Sequence, residues 1–252
     1  ACVAAGLATV GKTVFCSSFA MFAAGRAFEQ VRNSIAYSQL PVTIAATHSG
    51  VTVGEDGATH QAVEDMAIMR SIPGMTVVVP CDGPEAAKAV KALAEYDKPA
   101  YLRLGRLAVE TVTAEDTPFE IGKGIVLRDG KDAVVFACGL MVQEALKAAE
   151  ILAEKGVDAA VVDMHTIKPL DEQLVIDMTK KCGAVVTAEE ATVMGGLGSA
   201  VAEVLAENAP VPMGRIGVLD SFGESGKPAE LLAKYHLTAA DIAEKVCDVL
   251  KK

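Results

Sequence analysis

Residues 48–61 read HSGVTVGEDGATHQ, which sets His48, His60, Glu55, Asp56 and Gln61 among glycines and small side chains. Imidazole and carboxylate groups move protons near neutral pH, and glycines let a backbone come close to a ligand. Phe19 and Phe22 stand one helical turn apart, and Cys81, Asp82 and Arg106 are further reactive or charged residues that follow apolar runs. A competing site lies at residues 6–13, GLATVGKT, which fits the phosphate-binding pattern G-x-x-x-x-G-K-[ST] at every fixed position.

Such side chains need a scaffold, and the sequence supplies one twice. Apolar runs alternate with helix-length segments: TVFCSS (13–18), a helically spaced stretch over 19–37, VTIAAT (42–47), a helix through 64–71, TVVVP (76–80), a helix over 84–96, and PAYLRLG (99–105). Strands that are apolar throughout, rather than at alternate positions, mark a parallel sheet covered on both faces. Residues 106–121 follow neither period. A second series then places strands at 124–128, 132–139, 158–164, 184–189 and 214–220, with helices at 141–156, 198–208 and 238–252. The expected class is α/β, two consecutive three-layer α/β/α domains with mostly parallel sheets. They span residues 1–112 and 122–252, with 113–121 as the linker. In open sheets of this kind ligands lie outside the carboxyl ends of the strands, where Phe19, Phe22, His48, Cys81, Asp82 and Arg106 fall.

The same reading disposes of GLATVGKT. A phosphate loop needs a strand ahead of it and a helix N-terminus after its lysine. Here a helix runs in and the strand TVFCSS runs out, so Gly11 is expected to end the helix in a left-handed cap with Lys12 on its last carbonyls. The match is an accident. Other residues have plain alternatives. Phe19 and Phe22 could be core, Arg106 the first solvated residue of a linker, and the two histidines ordinary loop residues. The histidines could also form a metal site with Asp56, although their spacing fits no zinc pattern. GGLGSA (195–200) hints at a dinucleotide turn but is expected to serve close helix–strand packing.

Composition narrows the classes further. The net charge is −10 and the basic residues are scattered, which argues against nucleic acid and anionic membranes. No apolar run reaches the roughly 20 residues of a spanning helix, and no signal-peptide pattern is visible. Six dispersed cysteines read as reduced, mostly buried thiols, so the expected location is cytoplasmic. A chain that is 51% hydrophobic is expected to cover part of its surface with a partner. ACVAAGLA opens with neither an initiator Met nor a capping residue, like the middle of a helix, and the chain is expected to be a fragment.

GEDGATHQAVEDMAIMRSIPGMTVVVPCDG (54–83), with AAGLATVGKTVFCSSFAMF (4–22) and RAFEQVRNSIAYSQLPV (26–42), resembles the pyrimidine-binding domain of transketolases. DMHTIKPLD (163–171) and GGLGSAVAEVLAE (195–207) resemble the C-terminal domain of those enzymes. The resemblance covers essentially the whole chain, and GEDG-x-THQ is its most specific part. Deoxyxylulose-phosphate synthase and the β subunit of 2-oxoacid dehydrogenase E1 share the fold, and the HSG…GEDG combination favours transketolase.

The resemblance implies a transferase of the pentose phosphate pathway type. Such an enzyme moves a two-carbon ketol unit from a ketose phosphate to an aldose phosphate with thiamine diphosphate and Mg²⁺. It implies that Phe19 and Phe22 sandwich the aminopyrimidine ring, and that His60 sits beside the thiazolium and substrate oxygen. Asp56 is implied to read a substrate hydroxyl, and His48 with Arg106 to hold the sugar phosphate. His165 and Glu189 are left structural or interface roles. In the family an activating glutamate lies just ahead of the position of Ala1, and the Mg²⁺–diphosphate cradle with its G-D-G…N motif lies on another domain. A pyrophosphate-binding domain or N-terminal subunit is therefore the implied partner, in a homodimer or heterotetramer. The alternatives are another thiamine-diphosphate activity, deoxyxylulose-phosphate synthesis or 2-oxoacid dehydrogenation, and a non-catalytic binding module keeping the fold.

Overall fold

The computed structural model describes residues 1–251. In chain order the first part comprises α1 (Cys2–Thr9), β1 (Val14–Phe19), α2 (Phe28–Gln30), β2 (Val42–Thr47), α3 (Asp65–Ser71), β3 (Thr76–Val78), α4 (Gly83–Ala94) and β4 (Ala100–Arg103). The second comprises β5 (Ile125–Arg128), β6 (Ala133–Ala137), α5 (Met141–Glu154), β7 (Ala159–Asp163), β8 (Thr166–Lys168), α6 (Glu172–Cys182), β9 (Val185–Thr192), α7 (Leu197–Asn208), β10 (Met213–Val218), α8 (Pro228–Lys234) and α9 (Ala239–Leu250).

Gly11, at φ +77°, ends α1 as expected. Its N–H donates to the Ala8 carbonyl and the Lys12 N–H to that of Leu7. The lysine thus meets the helix end through its backbone and passes straight into β1.

Two five-stranded sheets form, in the orders β1-β2-β4-β3-β8 and β10-β9-β6-β7-β5. β1 to β4 are mutually parallel, as are β6, β7, β9 and β10; β8 on β3 and β5 on β7 run antiparallel. The central strands β6, β7 and β9 are buried at every position, which explains the apolar runs of β6 and β7, whereas β9 buries Glu189 and Glu190 as well.

Three features depart from the sequence expectation. The stretch 19–37 is not one α-helix: π-helical segments Met21–Arg26 and Val31–Ala36 flank the single turn α2. One widened turn shifts the period by a residue, too little for apolar spacing to register over so short a segment. Next, the three-residue β8, from DMHTIKPLD, joins the first sheet instead of the second. Finally, α6 and α8 were not foreseen, although α6 carries an Asp171 N-cap and a left-handed Gly183 after its end. α9 begins after a Thr238–Asp241 capping box, and the last residue of the expected 238–252 helix lies outside the described residues.

A continuous core joins the two sheets, with Met66, Met69 and Val77 packed in one cluster with Phe136, Val162, Leu197 and Val201. The segment between the sheets is tied down at several points. Asp82 caps α4 by accepting the Glu85 N–H, and its carboxylate also accepts the N–H groups of Val112 and Thr113 and the Thr113 hydroxyl. Burial opposes the Asp82 charge, but these donors outweigh it and leave the pKa below the ordinary value. Phe119 stacks on the buried His165 ring, with centroids 4.3 Å apart, and burial lowers the His165 pKa to about 4, so this ring is neutral. The six cysteines are free thiols, of which Cys81, Cys138 and Cys182 are buried.

Cys81, Glu85 and Asp163 bring their ligand atoms within 4.8 Å of one another inside this junction. Two carboxyl groups so close and cut off from water do not both ionise. Burial raises Asp163 and Glu85, the Glu85 charge raises Asp163 further, and one of the two keeps its proton.

Candidate active site

β1 and β2 run side by side in register from Val14↔Val42 to Phe19↔Thr47, so their carboxyl ends deliver Phe19 and His48 as neighbours. The two rings stack, with centroids 3.9 Å apart and planes 10° apart. His48 holds a left-handed φ of +58°, uncommon for a residue with a Cβ, which turns its ring back onto Phe19 as the chain leaves the sheet. Phe22 lies on the next turn, its ring 15° from the plane of Phe19 and 6.2 Å away. His60 meets Phe22 edge-on at 5.3 Å. Four of the six residues singled out from the sequence therefore form one aromatic cluster at the strand ends.

The other two meet at its flank. Arg106 Nη1 stands 3.7 Å from Asp56 Oδ2 and donates to the Val53 carbonyl at 2.6 Å. Both side chains are about two-fifths exposed, at 42% and 43%, so the attraction is weak and an incoming anion or hydroxyl can compete for either group. His48 and Arg106 make no direct hydrogen bond among the described residues; His48 Nδ1 is 3.0 Å from Thr47 Oγ1. His60 Nδ1 lies 3.0 Å from Thr59 Oγ1, and its Nε2 has no hydrogen-bond partner among the described residues. Cys81 and Asp82 are not part of this group, being used in the junction described above.

The loop that carries Asp56 and His60 is built from two 3₁₀ turns, Val51–Asp56, kinked at Gly54. Gly50, Gly54 and Gly57 hold φ values of +78°, +83° and +75°, which explains why this stretch needs glycines. Gln61 ties this loop together. Its Nε2 donates to the carbonyls of Val51, Gly54 and Glu224, the last contributed by the C-terminal part of the chain.

Sequence reasoning missed the support beneath the loop. Arg103, 4% exposed, pairs with the buried Asp65 through Nε at 2.8 Å and Nη2 at 3.1 Å. Its Nη2 also donates to the Ala62 and Glu190 carbonyls, and Tyr101 donates to Asp65 at 2.7 Å. An arginine inside the otherwise apolar run PAYLRLG was the available signal, since buried charges occur paired.

GGLGSA also has a use that the sequence did not show. Glu189 lies fully buried at the start of α7, and its carboxylate accepts the N–H groups of Leu197 and Gly198, each at 2.8 Å. A Cβ on Gly196 would fall 2.0 Å from Glu189 Oε2. The glycines make room for the chain's own anion at a helix N-terminus, the position a dinucleotide phosphate would need. Burial raises the Glu189 pKa to about 7 against the pull of those donors. A carboxyl group whose pKa is higher folded than unfolded contributes most stability at low pH and loses it as pH climbs from the unfolded to the folded value. Between pH 4.5 and about 7, Glu189 therefore lowers stability by on the order of 3 kcal/mol. Glu189→Gln is expected to remove that part of the slope. Urea unfolding at the two ends of the window checks this; identical slopes in both proteins would contradict it.

Two mostly parallel five-stranded sheets with flanking helices match the two α/β domains of the transketolase-type fold. Residues 1–111 match the family described as transketolase, pyrimidine binding domain, and residues 122–242 match transketolase, C-terminal domain. A Methanocaldococcus jannaschii protein, provisionally described as a transketolase C-terminal section, is 50% identical over 99% of this chain and 79% of its own length. A 6-deoxy-6-sulfo-D-fructose transketolase subunit of Clostridium sp. (strain MSTE9) is 46% identical over 99% of this chain and 78% of its own. The solved structure titled split gene transketolase, inactive beta4 tetramer, superposes with a TM-score of 0.94 at 53% identity, over 99% of this chain and 80% of that one. The chain belongs to the transketolase family. No helix among the described residues is long and apolar enough to cross a membrane.

Proposed function

We propose that this chain is the C-terminal subunit of a transketolase that moves a two-carbon ketol unit from a ketose phosphate to an aldose phosphate. In this reading thiamine diphosphate is bound between this chain and a pyrophosphate-binding partner. The carrying observation is the joint placement of Phe19, Phe22, His48 and His60 in one ring cluster with Asp56 and Arg106 at its flank.

The residues present suit the ring end of the cofactor. A cleft of about 510 Å³ opens beside Phe22, lined by Met21, Arg26, Thr59, Gln61 and Phe222. A third ring between Phe19 and Phe22 needs roughly 7 Å between their planes, and their centroids are 6.2 Å apart. The exposed Phe22 therefore has to swing outward by about 1 Å to admit one. Among the described residues the one metal-capable side-chain group, Cys81 with Glu85 and Asp163, does not line this cleft. When bound, thiamine diphosphate supplies the nucleophilic carbon and electron sink that protein side chains lack.

This chain's own part is placement and proton movement. Phe22 and Met21 present apolar surface and keep water from one side of the cleft. Thr59 Oγ1 orients His60 through Nδ1, leaving Nε2 to give a proton to, or take one from, a substrate oxygen. Asp56 accepts a hydrogen bond from a sugar hydroxyl, and Arg106 with His48 supplies donors for the phosphate.

The test is reconstitution with a chain carrying G-D-G…N, thiamine diphosphate and Mg²⁺, followed by an assay of ketol transfer between sugar phosphates. Turnover should require both chains and both sugars. Asp56→Ala should lower kcat/KM by roughly 10- to 150-fold, the worth of one hydrogen bond to a charged group. Turnover of pyruvate with no aldose phosphate acceptor would overturn the reading.

A further inference from the structure

The loop bearing Asp56 and His60 is gripped by the C-terminal part of the chain at two points. At its base, Glu190 of β9, 5% exposed, accepts the Thr52 N–H through Oε1 at 2.7 Å. Gly50 passes directly over that carboxylate: a Cβ there would lie 2.3 Å from Glu190 Cδ and Oε1. On the other side of the same strand, the Glu190 carbonyl accepts from Arg103, which also holds Ala62 at the far end of the loop. At its bend, Gln61 reaches from Val51 and Gly54 across to the Glu224 carbonyl. A Cβ on Gly57 would meet Ser225 Oγ at 2.5 Å, and one on Gly54 the Gly226 carbonyl at 3.3 Å. Both ends of the loop are thus referenced to the second sheet and its 222–228 loop.

We infer that the C-terminal domain is the positioning element of the substrate loop. Glu190 acts as a positioning residue that fixes Thr52, and through it Asp56 and His60, while Gln61 and residues 223–225 fix the bend. The functional consequence rests on the transketolase reading above; the mechanical one does not. Burial opposes the Glu190 charge, Arg103 favours it, and no substrate contact is required of it. An error of about 1 Å in such a loop can cost 10²-fold in rate even though the chemistry is elsewhere.

Two variants and two readouts test this. Glu190→Ala removes the acceptor, whereas Glu190→Gln keeps an oxygen for the Thr52 N–H. Gly223→Ala acts from the second domain without touching the loop backbone, because its Cβ would lie 1.8 Å from Gln61 Oε1 and displace that amide. Hydrogen exchange on the chain alone is expected to show amides 51–57 speeded at least tenfold by Glu190→Ala and by Gly223→Ala. Amides of α3 should be unchanged, and Glu190→Gln should match wild type. In the reconstituted enzyme, Glu190→Ala and Gly223→Ala should lower kcat by about 10²-fold with KM for the ketose phosphate changed far less, and Glu190→Gln should restore it. Unchanged loop exchange in both variants would overturn the inference, as would a Glu190→Gln enzyme as slow as Glu190→Ala. Should the wild-type pair show no ketol transfer at all, the functional reading fails while the exchange data still decide the positioning claim.

Discussion

Alanine in place of His60 is expected to lower kcat of the reconstituted enzyme by roughly 10²- to 10⁴-fold, the range contributed by one positioned proton-transfer group. The expectation follows from geometry. His60, like His48, is held through Nδ1 and has its other nitrogen without a partner among the described residues, but its ring meets Phe22 edge-on. The face of His48, by contrast, is spent on Phe19. His48→Ala should therefore act mainly on KM for the sugar phosphate. His60 is half-buried on a loop whose backbone is fixed by Gln61, so His60→Ala should leave stability within about 0.5 kcal/mol of wild type. Rates of the two variants under saturating substrate separate these roles, and a kcat loss below fivefold in His60→Ala would contradict the assignment.

The largest stability effect is expected at Arg103. Replacing it by methionine leaves Asp65, 2% exposed, with the Tyr101 hydroxyl as its remaining side-chain donor; it also removes a donor from the Glu190 carbonyl and one of the two donors to the Ala62 carbonyl, which keeps the Gly50 N–H. An ionised carboxylate stranded in this way costs about 3–5 kcal/mol. The double variant Arg103→Met with Asp65→Leu should recover part of that loss, because it removes the stranded charge instead of orphaning it. Urea midpoints of the single and double variants measure both. A loss below about 1 kcal/mol in Arg103→Met would mean that the pair is looser and wetter than its 2.8 Å contact indicates.

The parallel strands were readable because burial on both faces leaves an unbroken apolar run, and the residue after each run then falls at a ligand-facing end. That logic delivered Phe19, His48 and Arg106. It could not deliver the grip on the loop: Glu190 meets Thr52 across 138 residues, and nothing local in AEEAT marks which of its two glutamates turns which way. β8 escaped for a different reason. Three residues carry no period, and the strand is defined by its partner β3 alone. The widened turns near Phe22 were hidden because helical and π spacing place the same small residues inward over two turns. GGLGSA matched a ligand motif in appearance, but the close helix–strand packing expected of it is what forms, with Gly196 and Gly198 against Glu189 and Thr187 of β9.

The central claim is that the cofactor site is shared between this chain and a pyrophosphate-binding one. Native mass spectrometry tests it most directly, on this chain alone, on the partner alone and on their mixture, each with and without thiamine diphosphate and Mg²⁺. The cofactor is expected to be retained by the mixed complex and lost from either chain by itself. Retention by this chain alone, or a mixed complex that ignores the cofactor, would contradict it.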